Sequence, residues 1–395
     1  MSLINRGLNI NRLYDTIHES VKNPKAAFHI MQQKIGELMT EVDDKPAEIQ
    51  PEDFSLRELY EFCKFKEDVS VTQFPLLTGT LLSKKMMNAY ESRETVGDSL
   101  VTKFPSKLLI DKVSGTFIKG SLQDIEAGMP YEHTGDIEEK YIQIVGKKRG
   151  AILDVTWEAI NFDQTGQVLK AANDFGERMA VDKEQRLLNW VQDIAGYRCY
   201  YPTNTQTNIY QAAGAARHTY GNLINNALQN WRDLDAAYQA LALMKNDTGD
   251  PMLVRPKILL VPIALETTAN RLIRNSKMPA PRTGSGIVGD SYNEENPFRN
   301  RFTVISSPYL DEQSSVIWYL GDFKKQFLYK EVIKPEVLTR KDDKNDAAWE
   351  RDILASYKLR YYGIVGAQDY RYVVKSAGTH GQCEHDSVCG AGSFA

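Results

Sequence analysis

The chain has 395 residues, 42% of them hydrophobic and 25% charged, with a net charge of −4 and an isoelectric point near 6.0, the composition of a globular protein with room for a substantial core. A mildly acidic balance excludes a protein that grips nucleic acid by neutralising phosphates along a broad basic face, but not one that encloses it. No run of about eighteen apolar residues occurs, and the first residues, Met1 to Gly7, lack the apolar stretch of a secretory signal, so neither a membrane span nor an export signal is expected.

In chain order, residues 9–42 carry helical spacing (Leu13, Ile17, Val21, then Ala27, Ile30, Met31, Ile35, Leu38 and Val42), and Asn23-Pro24 divides the run into two helices. Asp43 to Pro51 is a polar linker. Ser55 is an N-cap with Glu58 at the capping-box position, which predicts a short helix to Lys66. This region is either an amphipathic pair covering a core or an arm or built-in scaffold that binds neighbouring subunits.

Thr116 to Leu122 reads as a short strand, and Ile125 to Asp136 is rich in Gly, Pro and acid. Lys140 to Val145 alternates, Lys147-Lys148-Arg149-Gly150 interrupts, and Ala151 to Glu158 alternates again. The spacing predicts a long β-hairpin with a polar tip. Its unpaired edges call for a covering partner, which points to self-association. From Asn161 to Ile194 one apolar stripe (Val168, Ala172, Phe175, Met179, Leu187, Leu188, Val191 and Ile194) predicts a helix of about 30 residues, roughly 45 Å long.

Residues 200–222 are polar and loop-like. A second helical run is expected from Leu223 to Met244, ended by Asp247 to Pro251. Pro256 to Pro262 reads as a buried strand and Ala264 to Asn275 as a helix; Met278 to Pro297 reads as a loop rich in Gly and Pro. Strands over 302–307 and 315–321 are expected to form a hairpin around Leu310. Further strands are expected over Phe327–Leu338, Asp352–Tyr362 and Tyr370–Lys375, and the last residues, Gly378 to Ala395, form a tail.

Groups arranged for chemistry are scarce. There is no P-loop, HExxH or GxSxG, and Gly284, Gly286 and Gly289 have dinucleotide-loop spacing without a preceding strand. Cys63 and Cys199 are isolated and read as reduced, which fits synthesis in a cytoplasm. His380, Cys383, His385 and Cys389 are weak candidate metal ligands in the tail. Zinc, a Cys383–Cys389 disulfide or intersubunit bond, and a loose tail are the alternatives there. Glu138-Glu139 and Asp342-Asp343 are adjacent and read as solvated charge. Lys147, Lys148 and Arg149 are candidates for contact with acids of a neighbouring subunit, against the plainer reading of a solvated turn. No catalytic, cofactor-binding or firm metal residue is assigned.

Four stretches carry a family resemblance: Tyr131-Glu132-His133 with Tyr141 and Gly150 to Asp163; Ile258 to Pro262 with Leu265 to Ala269; Val304 to Leu310 with Trp318 to Asp322; and Arg351 to Tyr370. Over residues 100–376 their order and spacing resemble the major capsid proteins of tailed bacteriophages, the Hong Kong 97 type, and look most like the Mu-like prophage major head subunit group. Trp157 stands where a basic residue is common, and Phe162 interrupts the usual double-acid step.

The resemblance implies an α+β Hong Kong 97-type fold. Its parts would be an N-terminal helical arm (1–105), an extended β-hairpin loop (106–160), a peripheral domain with a spine helix (161–255), an axial domain (256–340), return strands of the peripheral domain (341–378) and a C-terminal tail (379–395). It implies a non-enzymatic head protein without cofactors that assembles with copies of itself as pentamers and hexamers. The shell would enclose double-stranded DNA without sequence-specific binding. Scaffold or protease, portal and decoration proteins would be its other partners, and no membrane would be involved. Assembly is expected in the host cytoplasm and residence in the virion capsid. The alternative is an encapsulin-type shell of the same fold around an enzyme cargo.

Overall fold

The structure is a computed structural model. It describes residues 16, 17, 19, 21, 26, 27, 29–31, 33 and 34, then 74–118 except 109, 137–159 except 157, 167–201, 205–212, 221–245, 251–279, 293–340 and 352–378. The short helix expected at 55–66 and the Cys/His tail lie outside these residues. The described residues between 16 and 34 are helical, as their spacing predicts, with Ile17, Ala27 and Met31 buried.

The chain divides into two compact units. One comprises residues 1–95, 147–183 and 332–363; the other comprises 96–146, 184–331 and 364–395. In chain order the elements begin with α1 (Phe74–Ser92), α2 (Gly97–Leu100), β1 (Thr102–Pro105), β2 (Ile110–Ile118), β3 (Ile137–Val145), β4 (Lys147–Thr156) and α3 (Gln167–Gln192). Then come β5 (Arg198–Tyr201), β6 (Thr205–Asn208), β7 (Leu223–Ile224), α4 (Trp231–Ala242), β8 (Ile258–Val261), α5 (Ile263–Arg274), β9 (Lys277–Pro279) and β10 (Asn293–Glu295). The chain closes with β11 (Thr303–Ser306), α6 (Pro308–Asp311), β12 (Trp318–Gly321), α7 (Phe323–Gln326), β13 (Phe327–Arg340), β14 (Ile353–Ala367) and β15 (Val373–Ser376).

In the first unit, β4 pairs antiparallel with β14, from Thr156 opposite Ile353 to Lys147 opposite Gly363, and β13 lies on the other side of β14. Strand alternation sends Tyr357, Leu359 and Tyr361 to one face, where α1 and α3 cover them. Met179 and Phe175 of α3, Tyr90 of α1 and Val337 of β13 pack around Leu359 and Tyr361. Thr78 Oγ1 and the Tyr357 hydroxyl share a buried hydrogen bond of 2.6 Å. The two helices approach closely because position 176 is glycine: a Cβ there would stand 2.2 Å from the Met86 carbonyl oxygen.

The second unit is built on a five-stranded sheet of order β11-β8-β12-β15-β7. Leu259, Val261, Trp318, Leu320 and Val374 project to the face that packs with Leu234, Ala237 and Leu241 of α4 and with Ala269 and Ile273 of α5. Each fully buried large side chain of this kind contributes about 1.5–3 kcal/mol. The Trp318 indole N–H donates to the Asn226 carbonyl at 2.9 Å. Asn222, fully buried, joins three segments: its amide donates to the carbonyls of Ile209 (2.6 Å) and Tyr370 (2.9 Å), and its oxygen accepts from Gln211 N–H (2.9 Å).

Three expectations are corrected. The run 140–145 does not pair with 151–158. β3 pairs with β2, from Ile110 opposite Val145 to Ile118 opposite Ile137, and β4 pairs with β14. Gly150, read as part of a turn, is a strand glycine under the backbone of β14, where a Cβ would meet the Leu359 carbonyl oxygen at 2.4 Å. The strands near 302–307 and 315–321 are not a hairpin either. β8 lies between them, parallel to β11 and antiparallel to β12, because Pro308 opens a helical turn in place of a tight turn.

The third correction concerns the helix expected from Leu223, which begins at Trp231. Asn230 caps it by accepting from Arg232 N–H at 2.9 Å, Asp233 accepts from Asn230 N–H at 2.9 Å, and Leu223 and Ile224 are taken up by β7. The helix α1 has no counterpart among the expected elements.

Candidate interaction surfaces

The candidate residues Lys147, Lys148 and Arg149 open β4, an edge strand, and all three are exposed. Alternation separates them. Arg149 turns toward α3 and forms an ion pair with Asp182 of its own chain. Lys148 projects from the opposite face, which no element among the described residues covers. That face continues with Ile152 and Asp154 on β4, Ser356, Lys358 and Arg360 on β14, and Glu336 and Leu338 on β13. Two side-chain contacts fix the parity: Ser356 Oγ donates to Asp154 Oδ1 at 2.6 Å, and Arg360 Nε donates to Glu336 Oε1 at 2.5 Å. In the first unit, then, the sheet is covered by helices on one side and bears mostly charged side chains on the other.

In the second unit the β2–β3 ribbon is anchored at its base. Lys330 Nζ of β13 lies 2.8 Å from Asp111 Oδ2, both side chains largely buried, and Ser106 Oγ donates to the same carboxylate at 2.7 Å. Burial strengthens such a pair relative to a surface one. Beside this anchor is an apolar patch. Ile110 and Val145 are directly opposed across the ribbon and stand 47% and 63% exposed, with Phe104 and Leu108 exposed nearby in the chain. Exposed apolar side chains clustered on an edge and ribbon base are what a contact with another protein surface would cover. The composition of this patch gave no signal in the sequence, because the same residues read equally well as an inward-facing strand.

Titration shifts in the described residues follow burial. Burial pushes the hydroxyls of Tyr210, Tyr319 and Tyr357 up, with neighbouring Tyr319, Asp193 and Cys199 adding to the effect at Tyr210. Burial, then Asp369 and Asp193, raises the Cys199 thiol well above its ordinary value, which makes it a poor nucleophile. Burial lowers Lys375, partly offset by Asp193. Its ammonium lies near the rings of Tyr210 and Tyr319 and donates to the Gln192 carbonyl at 2.8 Å; the Tyr210 hydroxyl donates to the Val191 carbonyl, also at 2.8 Å. Together they satisfy two carbonyls at the end of α3.

These shifted groups hold structure and form no acid–base pair. Among the described residues no group of three or more His, Cys, Asp and Glu is placed to hold a metal ion, and no helix is long and apolar enough to cross a membrane.

The family model described as phage capsid protein matches residues 140–376, more than half of the chain. No curated protein matches. Among solved structures, that of Gordonia phage Cozz is 12% identical, with 73% of this chain and 87% of that chain covered and a TM-score of 0.44. The capsid structure of cyanophage P-SCSP1u is 10% identical, covering 72% and 88%, with a TM-score of 0.47. The virus-like particle from Pyrococcus furiosus is 9% identical, covering 75% and 97%, with a TM-score of 0.40.

Proposed function

The chain belongs to the phage capsid protein family, and from that premise we propose that it is the major head subunit of a tailed bacteriophage, of the Mu-like group, assembling through pentamers and hexamers into an icosahedral shell around double-stranded DNA. The observation that carries this is the family match itself, which runs from β3 through α3 to the last strand of the five-stranded sheet. The fold is mixed helix and sheet, of the Hong Kong 97 capsid type, and the role is that of a structural shell protein.

A shell subunit works through contact area. Permanent interfaces bury about 2,000–5,000 Å², and a thin subunit reaches such areas with ribbons, arms and uncovered sheet faces. The β2–β3 ribbon supports the extended loop over the first part of 106–160, while β4 joins the sheet of the first unit. The unbroken helix α3 supports 161–255, with return strands at 341–378, as the peripheral domain. The sheet strands β8, β11 and β12 support 256–340 as the axial domain. This functional division keeps α3 whole, whereas the compact units divide it at Lys183.

The near-neutral charge suits an inner wall from which packaged DNA must slide. Scaffold or protease, portal and decoration proteins are its further partners, and assembly takes place in the host cytoplasm. Electron microscopy and light scattering of the expressed protein test the proposal. Closed icosahedral particles of megadalton mass with associated nucleic acid are expected; a small monodisperse species, or shells that hold an enzyme in place of DNA, overturns it.

A further inference from the structure

Helix α5 carries opposite charges at its two ends, and neighbouring segments add to each. Arg271 and Arg274 lie exposed in its last turn. The segment 296–301 crosses that end. The buried Asn296 amide donates to the carbonyls of Leu272 at 2.6 Å and Asn275 at 2.9 Å, and Asn300 N–H donates to the Ile273 carbonyl at 3.1 Å. These bonds bring the exposed Arg299 and Arg301 beside the helical pair, with Glu295 the exposed acid that precedes them. Arg301 is held within the chain: it lies 4.5 Å from the Tyr238 ring centroid and donates to the Tyr238 hydroxyl at 2.8 Å. The guanidinium groups of Arg271, Arg274 and Arg299 have no ion pair or hydrogen bond among the described residues.

The other end is acidic. Asp311, at the end of α6, accepts from Ile263 N–H at 2.7 Å and from Ala264 N–H at 3.4 Å. This cap places the exposed Glu312 beside the first turn of α5, where Glu266 shares a face with Ile263, itself 50% exposed. No Lys or Arg occurs over 263–270 or 307–317. The carboxylates of Glu266 and Glu312 have no ion pair or hydrogen bond among the described residues. The helix dipole accounts for Glu266 at the start of α5 and for Arg271 and Arg274 at its end. It does not account for Glu312 and Arg299, which other segments contribute, or for an exposed isoleucine among the acids. Twelve residues of helix, about 18 Å, hold the two ends apart, so the unpaired groups of one end cannot meet those of the other within one chain.

We propose that the arginine end of α5 in one copy docks on the acidic end of α5 in a second copy, with Arg271, Arg274 and Arg299 paired to Glu266 and Glu312 around the Ile263 side chain. The planar guanidinium fork matches a carboxylate through two parallel hydrogen bonds. A phosphate backbone would also satisfy the arginines, but it would leave Glu266 and Glu312 unmatched; a second copy answers both ends at once. Because the two surfaces differ, the contact is head to tail. Each copy uses its arginine end with one neighbour and its acidic end with another, and such a contact propagates until a ring closes or a filament grows. The inference rests on the shell reading and deepens it by naming one repeating contact between subunits.

Charge reversal in the full-length protein tests it. Arg271→Glu/Arg299→Glu reverses the sign of one end, and Glu266→Lys/Glu312→Lys reverses the other. Each double variant should lower the yield of assemblies about tenfold or more, by sedimentation and electron microscopy, since like charges then face each other. All four changes in one chain should restore the yield to within a few-fold of the parent, which a damaged fold would not do. Where the helix changes lower the thermal midpoint, Arg299→Glu and Glu312→Lys, both off α5, decide by the same pattern of loss and rescue. Parent-level assembly in a double variant, no rescue on combination, or an Arg variant that keeps its particles and loses only nucleic acid overturns the contact and leaves the shell reading standing. A parent that forms only small rings, with the same loss and rescue, supports the contact and overturns the shell. A parent that stays monomeric overturns both.

Discussion

The Asp182 carboxylate accepts the hydroxyl hydrogen of Tyr361 at 2.5 Å while its other oxygen pairs with Arg149, so one acid on α3 fastens two strands of the sheet beneath it. The two contacts are unequal. Tyr361 is 3% exposed, and removing a charged acceptor from a buried hydroxyl costs about 1–3 kcal/mol. Arg149 is nearly half exposed, and a surface pair of that kind contributes about 0.2–1 kcal/mol at most. Asp182→Ala should therefore destabilise most, Tyr361→Phe less and Arg149→Ala least, as read from urea midpoints. An Arg149→Ala effect as large as that of Asp182→Ala would show that the pair, not the phenol, carries the stability.

Gly176 offers a test in which two rules oppose each other. Glycine within a helix costs about 1 kcal/mol relative to alanine, so propensity alone makes Gly176→Ala stabilising. The Met86 carbonyl oxygen 2.2 Å from the added Cβ, with the Ala89 side chain at 3.0 Å, forces α1 and α3 apart instead, and overpacking of that kind costs about 1–3 kcal/mol. The variant should melt below the parent. A higher melting temperature would mean that the helices yield without loss.

How much of this was legible in the sequence depends on the range of the interaction. Helical periodicity is a local property, so the stripe from Val168 to Ile194 predicted α3: Val168, Ala172, Met179, Leu187, Leu188 and Val191 are buried, Phe175 is half-buried, and Ile194 lies past the end of the helix and is exposed. Strand existence was equally legible over 256–262, 327–338 and 352–362. Partnership was not. Asp154 and Ser356 meet 202 positions apart, and alternation in one strand does not name the strand it joins. The local rule favoured 140–145 with 151–158, and the more distant β14 won because Gly150 permits close backbone approach. The basic sheet face was invisible for the same reason: its lysines are scattered from 148 to 358 and converge only through pairing.

Three buried tyrosines set the response to alkali. Tyr210, Tyr319 and Tyr357 titrate above their ordinary value of 10.0 in the folded protein, chiefly through burial. The unfolded chain releases these protons near pH 10 while the folded chain retains them, so the stability is fully present below about pH 10 and is lost as pH rises beyond it. The slope is up to about 1.4 kcal/mol per pH unit for each tyrosine. Lys375 acts oppositely: its lowered value adds stability as pH rises toward 10.5. Urea midpoints between about pH 9 and pH 11 should fall, and Tyr357→Phe should flatten the decline by one proton's worth. Tyrosinate absorbance appearing before unfolding would contradict the assignment.

The basic opening of β4 gives a test of assembly that separates folding from contact. Lys147, Lys148 and Arg149 are proposed to meet acids of a neighbouring subunit, and reversing all three charges should lower particle yield. The triple change alone is ambiguous, because Arg149 also holds Asp182 of its own chain. Lys148 projects from the other face of the strand and has no ion pair or hydrogen bond among the described residues, so Lys148→Glu leaves the Asp182 contacts intact. Lys148→Glu should reduce particle yield with an unchanged melting temperature, while Arg149→Glu should lower both, since it sets a second acid beside Asp182. Like-charge contacts at an interface cost several kcal/mol, and repetition around every capsomer multiplies the effect. Full particle yield from Lys148→Glu, counted by electron microscopy and sedimentation, would place this strand outside the subunit contacts.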